Sequence, residues 1–126
     1  MGEFVLFEIY NNNKAKLIKY LTEICINAGC KSDYSPYIIN LLDDFIGNHC
    51  GPFEGVFLNA WKYIVKLTLA AFWIFDKYIE DDHFFLTDVL ELAIKDITDV
   101  DILKCESEII EKCSNIGLYI ESRNFN

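Results

Sequence analysis

Residues 56–75, VFLNAWKYIVKLTLAAFWIF, constrain this chain more than any other stretch. Sixteen of the twenty are apolar, the exceptions being Asn59, Lys62, Lys66 and Thr68. From Leu67 onward only Thr68 is polar, so that half is apolar on every side. A helix of this kind is either buried in a protein core or spans a membrane. Twenty residues are long enough to span. Lys62 and Lys66, one turn apart, argue against it, since a lysine near a bilayer centre costs roughly 2.5–3.5 kcal/mol. The stretch is therefore expected to be the central helix, at about 56–79, of a soluble all-α bundle.

The 126 residues suit one helical domain spanning 1–126. That length buries enough surface to fold without disulfides or metals. An apolar share of 52% and an aromatic share of 15% exclude disorder and supply a dense core. The net charge of −9 is uneven: residues 1–66 hold six Lys/Arg and seven Asp/Glu, residues 67–126 five and thirteen. Such a surface repels phosphate backbones and anionic lipid, so no nucleic-acid partner is expected.

Cys25, Cys30, Cys50, Cys105 and Cys113 form an odd set without a CxxC pair. Their spacing fits neither a zinc site nor a disulfide framework. They read as reduced core thiols of a cytoplasmic protein. The start, MGEFVLFEIY, lacks a basic region, a long apolar stretch and a cleavage site, so no signal peptide is expected. Leu6 stands where a myristoylation pattern needs Ser or Thr, and the last residues, GLYIESRNFN, are not expected to form a membrane anchor.

Along the chain, residues 4–10 are short and apolar, and read as a first helix. Asn13 is expected to cap a second helix at 14–28, whose Leu17, Leu21, Ile24, Cys25 and Ala28 follow a 3.6-residue period. Gly29 is expected to stop it. Ser35-Pro36 marks a start, with Ser as cap and Pro in the first turn, for a helix at 36–46 with Ile38, Leu41, Leu42 and Phe45 inward. Gly47 should end that helix, and residues 48–52 should turn. After the acidic turn at 80–83, a helix is expected at 86–97 with Leu86, Val89, Leu90, Ala93 and Ile97 inward. Thr98 or Asp99 should cap a last helix at 100–120. Ile102, Cys105, Ile109, Cys113, Ile116 and Ile120 step along it by 3, 4, 4, 3 and 4, and Gly117 marks a kink or an end.

The chemistry is sparse. Glu80 and His83 form one Glu-x-x-His unit, but carboxylate-bridged metal bundles need two, and His49 has no acid three residues before it. Asp43-Asp44 reads as a solvated pair rather than an acid–base site. No glycine-rich phosphate loop occurs. No catalytic residue, metal or cofactor is expected, and the chain does not read as an enzyme. Lys62 and Lys66 are more telling. They repel mildly at i,i+4, so they either snorkel to water on one stripe or await an acidic partner.

Phe53-Glu54-Gly55-Val56-Phe57-Leu58-Asn59-Ala60-Trp61-Lys62 resembles the BH1 stretch of the Bcl-2 family, roughly F-x-D-G-V-x-N-W-G-R. Gly55-Val56 and Asn59 match with a slightly longer gap, and Lys62 falls where the family has Arg. Ala60 stands in place of the Trp and Trp61 in place of the Gly. The chain is similar to compact, anchorless Bcl-2 homologues of large DNA viruses. The resemblance implies a Bcl-2-like bundle whose groove is walled by residues 36–46 and floored by 59–69. Ile38, Leu42 and Phe45 would meet the ligand from the wall. Gly55, Val56, Asn59, Lys62, Val65 and Leu69 would form its BH1 edge and floor. Lys62 would pair with the Asp of a BH3 helix as a point charge rather than a fork. The implied function is sequestering the BH3 helix of a host pro-apoptotic protein in the host cytoplasm, and so inhibiting apoptosis.

The alternative reading is a helical adaptor or homodimer that interferes with innate-immune signalling. Phe4, Phe7, Tyr34, Tyr37, Phe84 and Phe85 lie in short or terminal segments and could form its patch.

Overall fold

The protein is described by a computed structural model that covers residues 2–30, 33–79 and 96–113. It is an all-α bundle with one small β-ribbon. In order come β1 (Gly2–Val5), α1 (Leu6–Asn12), α2 (Lys14–Ala28), α3 (Ser35–His49), β2 (Pro52–Gly55), α4 (Phe57–Ile79) and α5 (Asp99–Lys112). The expected central helix is α4, which packs most extensively on α5 and also meets α1 and α3. Every residue from 67 to 75 is buried, as its all-round apolarity requires, and Asp76 is buried after them. Burial of Phe72, Ile74 and Phe75 contributes about 1.5–3 kcal/mol each. Thr68, the polar exception, returns its hydroxyl proton to the Ile64 carbonyl at 2.8 Å. Among the described residues no helix is long and apolar enough to cross a membrane.

The expected first helix at 4–10 is corrected. Residues 2–5 are a strand, paired antiparallel with residues 52–55 so that Phe4 stands opposite Phe53. Helix begins only at Leu6. A short apolar run does not reveal its own period, and the partner that selects strand here lies some fifty residues away.

Asn13 does not cap α2 with its side chain. Its amide instead donates back to the Ile9 carbonyl at 2.8 Å, closing α1. Gly29 does stop α2: at φ 71° it is left-handed, and Cys30 N–H bonds Cys25 O while Gly29 N–H bonds Ile26 O. This is the Schellman arrangement that a glycine permits.

Ser35 is not the side-chain cap of α3. The N-cap position is Tyr34, with no side-chain cap; the Ser35 N–H donates to the Asp33 carboxylate at 2.9 Å, while the buried Ser35 hydroxyl lies 3.4 Å from that of Thr22. Nor does Gly47 end α3, which runs on to His49. A Cβ on Gly47 would stand 3.3 Å from the Phe7 ring, so this glycine serves the close approach of α1.

The expected helix at 86–97 lies outside the described residues up to 95. Its last two positions are not helical, and Asp96 is left-handed at φ 76°. Thr98 caps α5 as expected, in a reciprocal box. Its hydroxyl accepts from Asp101 N–H at 3.3 Å, and its own N–H donates to the Asp101 carboxylate at 2.9 Å. Ile102, Cys105, Ile109 and Cys113 form the buried stripe. Ile116, Gly117 and Ile120 fall outside the described residues.

Candidate interaction surface

The nine residues expected to bind a partner divide into two groups. Ile38, Leu42 and Leu69 are wholly buried, and Phe45 and Val65 nearly so. They belong to the core, where the apolar stripe of α3 meets α4. The groove expected between 36–46 and 59–69 is therefore closed in this structure: its wall and floor satisfy each other. Phe45 lines a hollow of about 330 Å³ near the C-terminus of α3, with Leu6, His49, Cys50, Phe53 and Tyr63. Val65 opens toward α2 instead, in a hollow of about 210 Å³ shared with Lys16, Leu17, Tyr20 and Trp61.

The other group faces outward. Gly55 ends β2 at φ 136°, a conformation that only glycine adopts without strain. After it the chain exposes three apolar residues in a row: Val56, Phe57 and Leu58 are 48%, 50% and 57% exposed. Asn59 is exposed and Lys62 half-buried. Among the described residues Lys62 makes no hydrogen bond or ion pair, whereas Lys66, one turn on, lies 3.6 Å from Asp101. The two lysines thus have different environments, although the sequence presents them as equivalents.

The aromatic patch expected for a dimer is only partly present. Phe7 is 38% exposed, Tyr37 is half-buried and Tyr34 is fully buried. The side chain of Phe4, together with Phe84 and Phe85, lies outside the described residues.

Asp43 and Asp44 are not a solvated pair. Asp43 accepts from Tyr10 Oη at 2.7 Å and pairs with Lys14 at 2.8 Å. Asp44 accepts from Asn48 at 2.8 Å and from the Cys113 thiol at 3.3 Å. Asp44, His49 and Cys113 place one donor atom each within 4.8 Å of one another, a set suited to a cation. Sequence reasoning missed it because Cys113 comes from another helix, and no local spacing announces such a set. The Glu80/His83 unit lies outside the described residues.

All five cysteines are free thiols, with Cys25, Cys105 and Cys113 buried. Burial pushes Cys105 and Cys113 up to about 12, helped at Cys113 by the Asp44 carboxylate. Cys50 rises to about 11 for the same first reason. Cys25 moves down, because Cys30 hydrogen-bonds it.

Comparison with protein-family models, curated proteins and solved structures finds no match to this chain.

Proposed function

We propose that this chain works by binding another protein, and that its ligand is an amphipathic helix carrying a carboxylate. The observation that carries this reading is the α2-facing side of α4. There an apolar hollow lined by Leu17, Tyr20, Trp61 and Val65 is bordered by Lys16, and Lys62 follows Trp61 without a partner among the described residues. An ammonium without a partner favours an incoming carboxylate, and an apolar side chain of the same helix fills the hollow. The BH1-like residues Gly55, Val56, Asn59 and Lys62 specify the ligand as a BH3 helix of a pro-death protein. The binding mode differs from the resemblance in one respect: with α3 closed on α4, the ligand docks toward α2, or α3 must move.

Calorimetry with a panel of BH3 peptides tests this. Sub-micromolar affinity, better than about −8 kcal/mol, is expected, with Lys62→Glu abolishing it. Failure of every peptide, or unchanged affinity in Lys62→Glu, overturns the reading.

A second reading, a helical adaptor or homodimer, is favoured by the exposure of Val56, Phe57 and Leu58 at the start of α4. It expects self-association in sedimentation that Phe57→Glu removes. A monomer at high concentration counts against the homodimer.

A further inference from the structure

We infer that Asp44, His49 and Cys113 form a binding site for a single Zn²⁺-class divalent cation that joins the C-terminal ends of α3 and α5. This stands apart from the protein-binding surface on α4.

The donor set is one carboxylate, one imidazole and one thiol, all within 4.8 Å of one another. That mixture suits a borderline-soft ion such as zinc, and excludes calcium and magnesium, which take oxygen ligands. The distances fit. In a tetrahedral site with bonds of about 2.3 Å to sulfur and 2.0 Å to oxygen, the sulfur–oxygen edge is roughly 3.5 Å. Cys113 Sγ already lies 3.3 Å from Asp44 Oδ2. His49 is exposed in the last turn of α3, its ring tilted against that of Phe45 with centroids 6.3 Å apart, and this places a ring nitrogen within 4.8 Å of the other two donors.

Two further observations support the site. Asn48 Nδ2 donates to Asp44 Oδ1 at 2.8 Å, which occupies one carboxylate oxygen and leaves Oδ2 toward Cys113. Outer partners of this kind orient metal ligands. In addition, His49 is the last residue of α3 and Cys113 caps α5. Two helix C-termini with their partial negative charges converge there, and that end of a helix favours a cation. The neighbouring hollow adds Glu108 and Glu111 against one Lys112.

On binding, the Cys113 S–H bond breaks, its proton goes to solvent, and the sulfur electron pair forms the bond to the ion. Nothing is oxidised or reduced. Three protein ligands leave a fourth position for water.

The test is titration of the reduced full-length chain with Zn²⁺ against a chromophoric chelator, and with Co²⁺ by absorption. One equivalent is expected to bind, and cobalt should show a thiolate charge-transfer band together with the visible bands of a tetrahedral ion. His49→Ala and Cys113→Ser should each weaken binding by more than the roughly 10–100-fold that loss of an outer partner costs. Cys30→Ser, outside the site, should leave it unchanged. Absence of stoichiometric binding, or binding that His49→Ala leaves intact, overturns the assignment. Because His49 is exposed, its variant keeps the fold and decides the matter even if Cys113→Ser does not fold.

Discussion

Lys66 of α4 lies 3.6 Å from Asp101 of α5, and that same carboxylate closes the capping box with Thr98. One side chain thus holds the start of α5 and ties it to the central helix. Asp101→Ala is expected to cost about 1–2 kcal/mol, most of it from the lost cap. Lys66→Ala should cost less than about 1 kcal/mol, because a part-exposed ion pair contributes little. Urea unfolding of both variants checks the order, and a larger loss in Lys66→Ala would contradict it.

The acid limb of stability follows from the same carboxylate. The Thr98 N–H holds Asp101 below the usual carboxylate value, and Lys66 adds to this. A group depressed on folding stabilises above its unfolded value and loses that contribution as pH falls through the folded one. Asp101→Asn should therefore melt with a flatter acid limb than the parent. Parallel limbs would show that Asp101 does not govern it.

At high pH the sign reverses. Burial, then the Asp43 carboxylate, pushes the Tyr10 phenol up; burial and Glu108 do the same to Tyr63, whose hydroxyl donates to Glu108 at 2.8 Å. A phenol raised on folding contributes fully below its unfolded value, and the contribution is lost as pH rises from there toward the folded value. Melting temperature should fall above the ordinary phenol range, near 10, and less steeply in Tyr10→Phe and Tyr63→Phe. Spectrophotometric titration showing all seven tyrosines ionising together near that value would refute this.

Leu42 separates a core residue from a groove residue. It is wholly buried between α3 and the rest of the bundle. Leu42→Ala should cost about 2–5 kcal/mol. A variant as stable as the parent would place Leu42 in an open groove.

The five thiols should react in a definite order. Cys30 is half-buried, whereas Cys105 is buried and its thiol is pushed up to about 12 by that burial. A short pulse of alkylating agent followed by mass spectrometry should label Cys30 first and Cys105 last. Equal labelling of the two would mean that the α4–α5 packing opens readily.

The helical class and the central helix were legible because apolar periodicity is a local property, and twenty nearly unbroken apolar residues allow few folds. The stripe Ile102, Cys105, Ile109 and Cys113 was legible for the same reason, as were the stop at Gly29, where one residue's backbone preference decides, and the cap at Thr98, whose partner Asp101 is only three residues on. The strand at 2–5 was not, since its hydrogen bonds go to residues 52–55. The caps expected from Asn13 and Ser35 failed because those side chains and their neighbours are engaged elsewhere: the Asn13 amide donates to the Ile9 carbonyl, and Ser35 is already inside the helix, its N–H bound by the Asp33 carboxylate.

By itself, then, the sequence determined which faces are apolar, and hence that helices must gather around residues 57–79. Only the tertiary structure decided what those faces meet. It closed Ile38 and Leu42 onto α4, turned Val65 toward α2, gave Lys66 a carboxylate and brought Cys113 to Asp44 and His49. Periodicity records where a side chain points along its own helix, whereas a groove or a ligand set depends on the distance between helices that are remote in sequence.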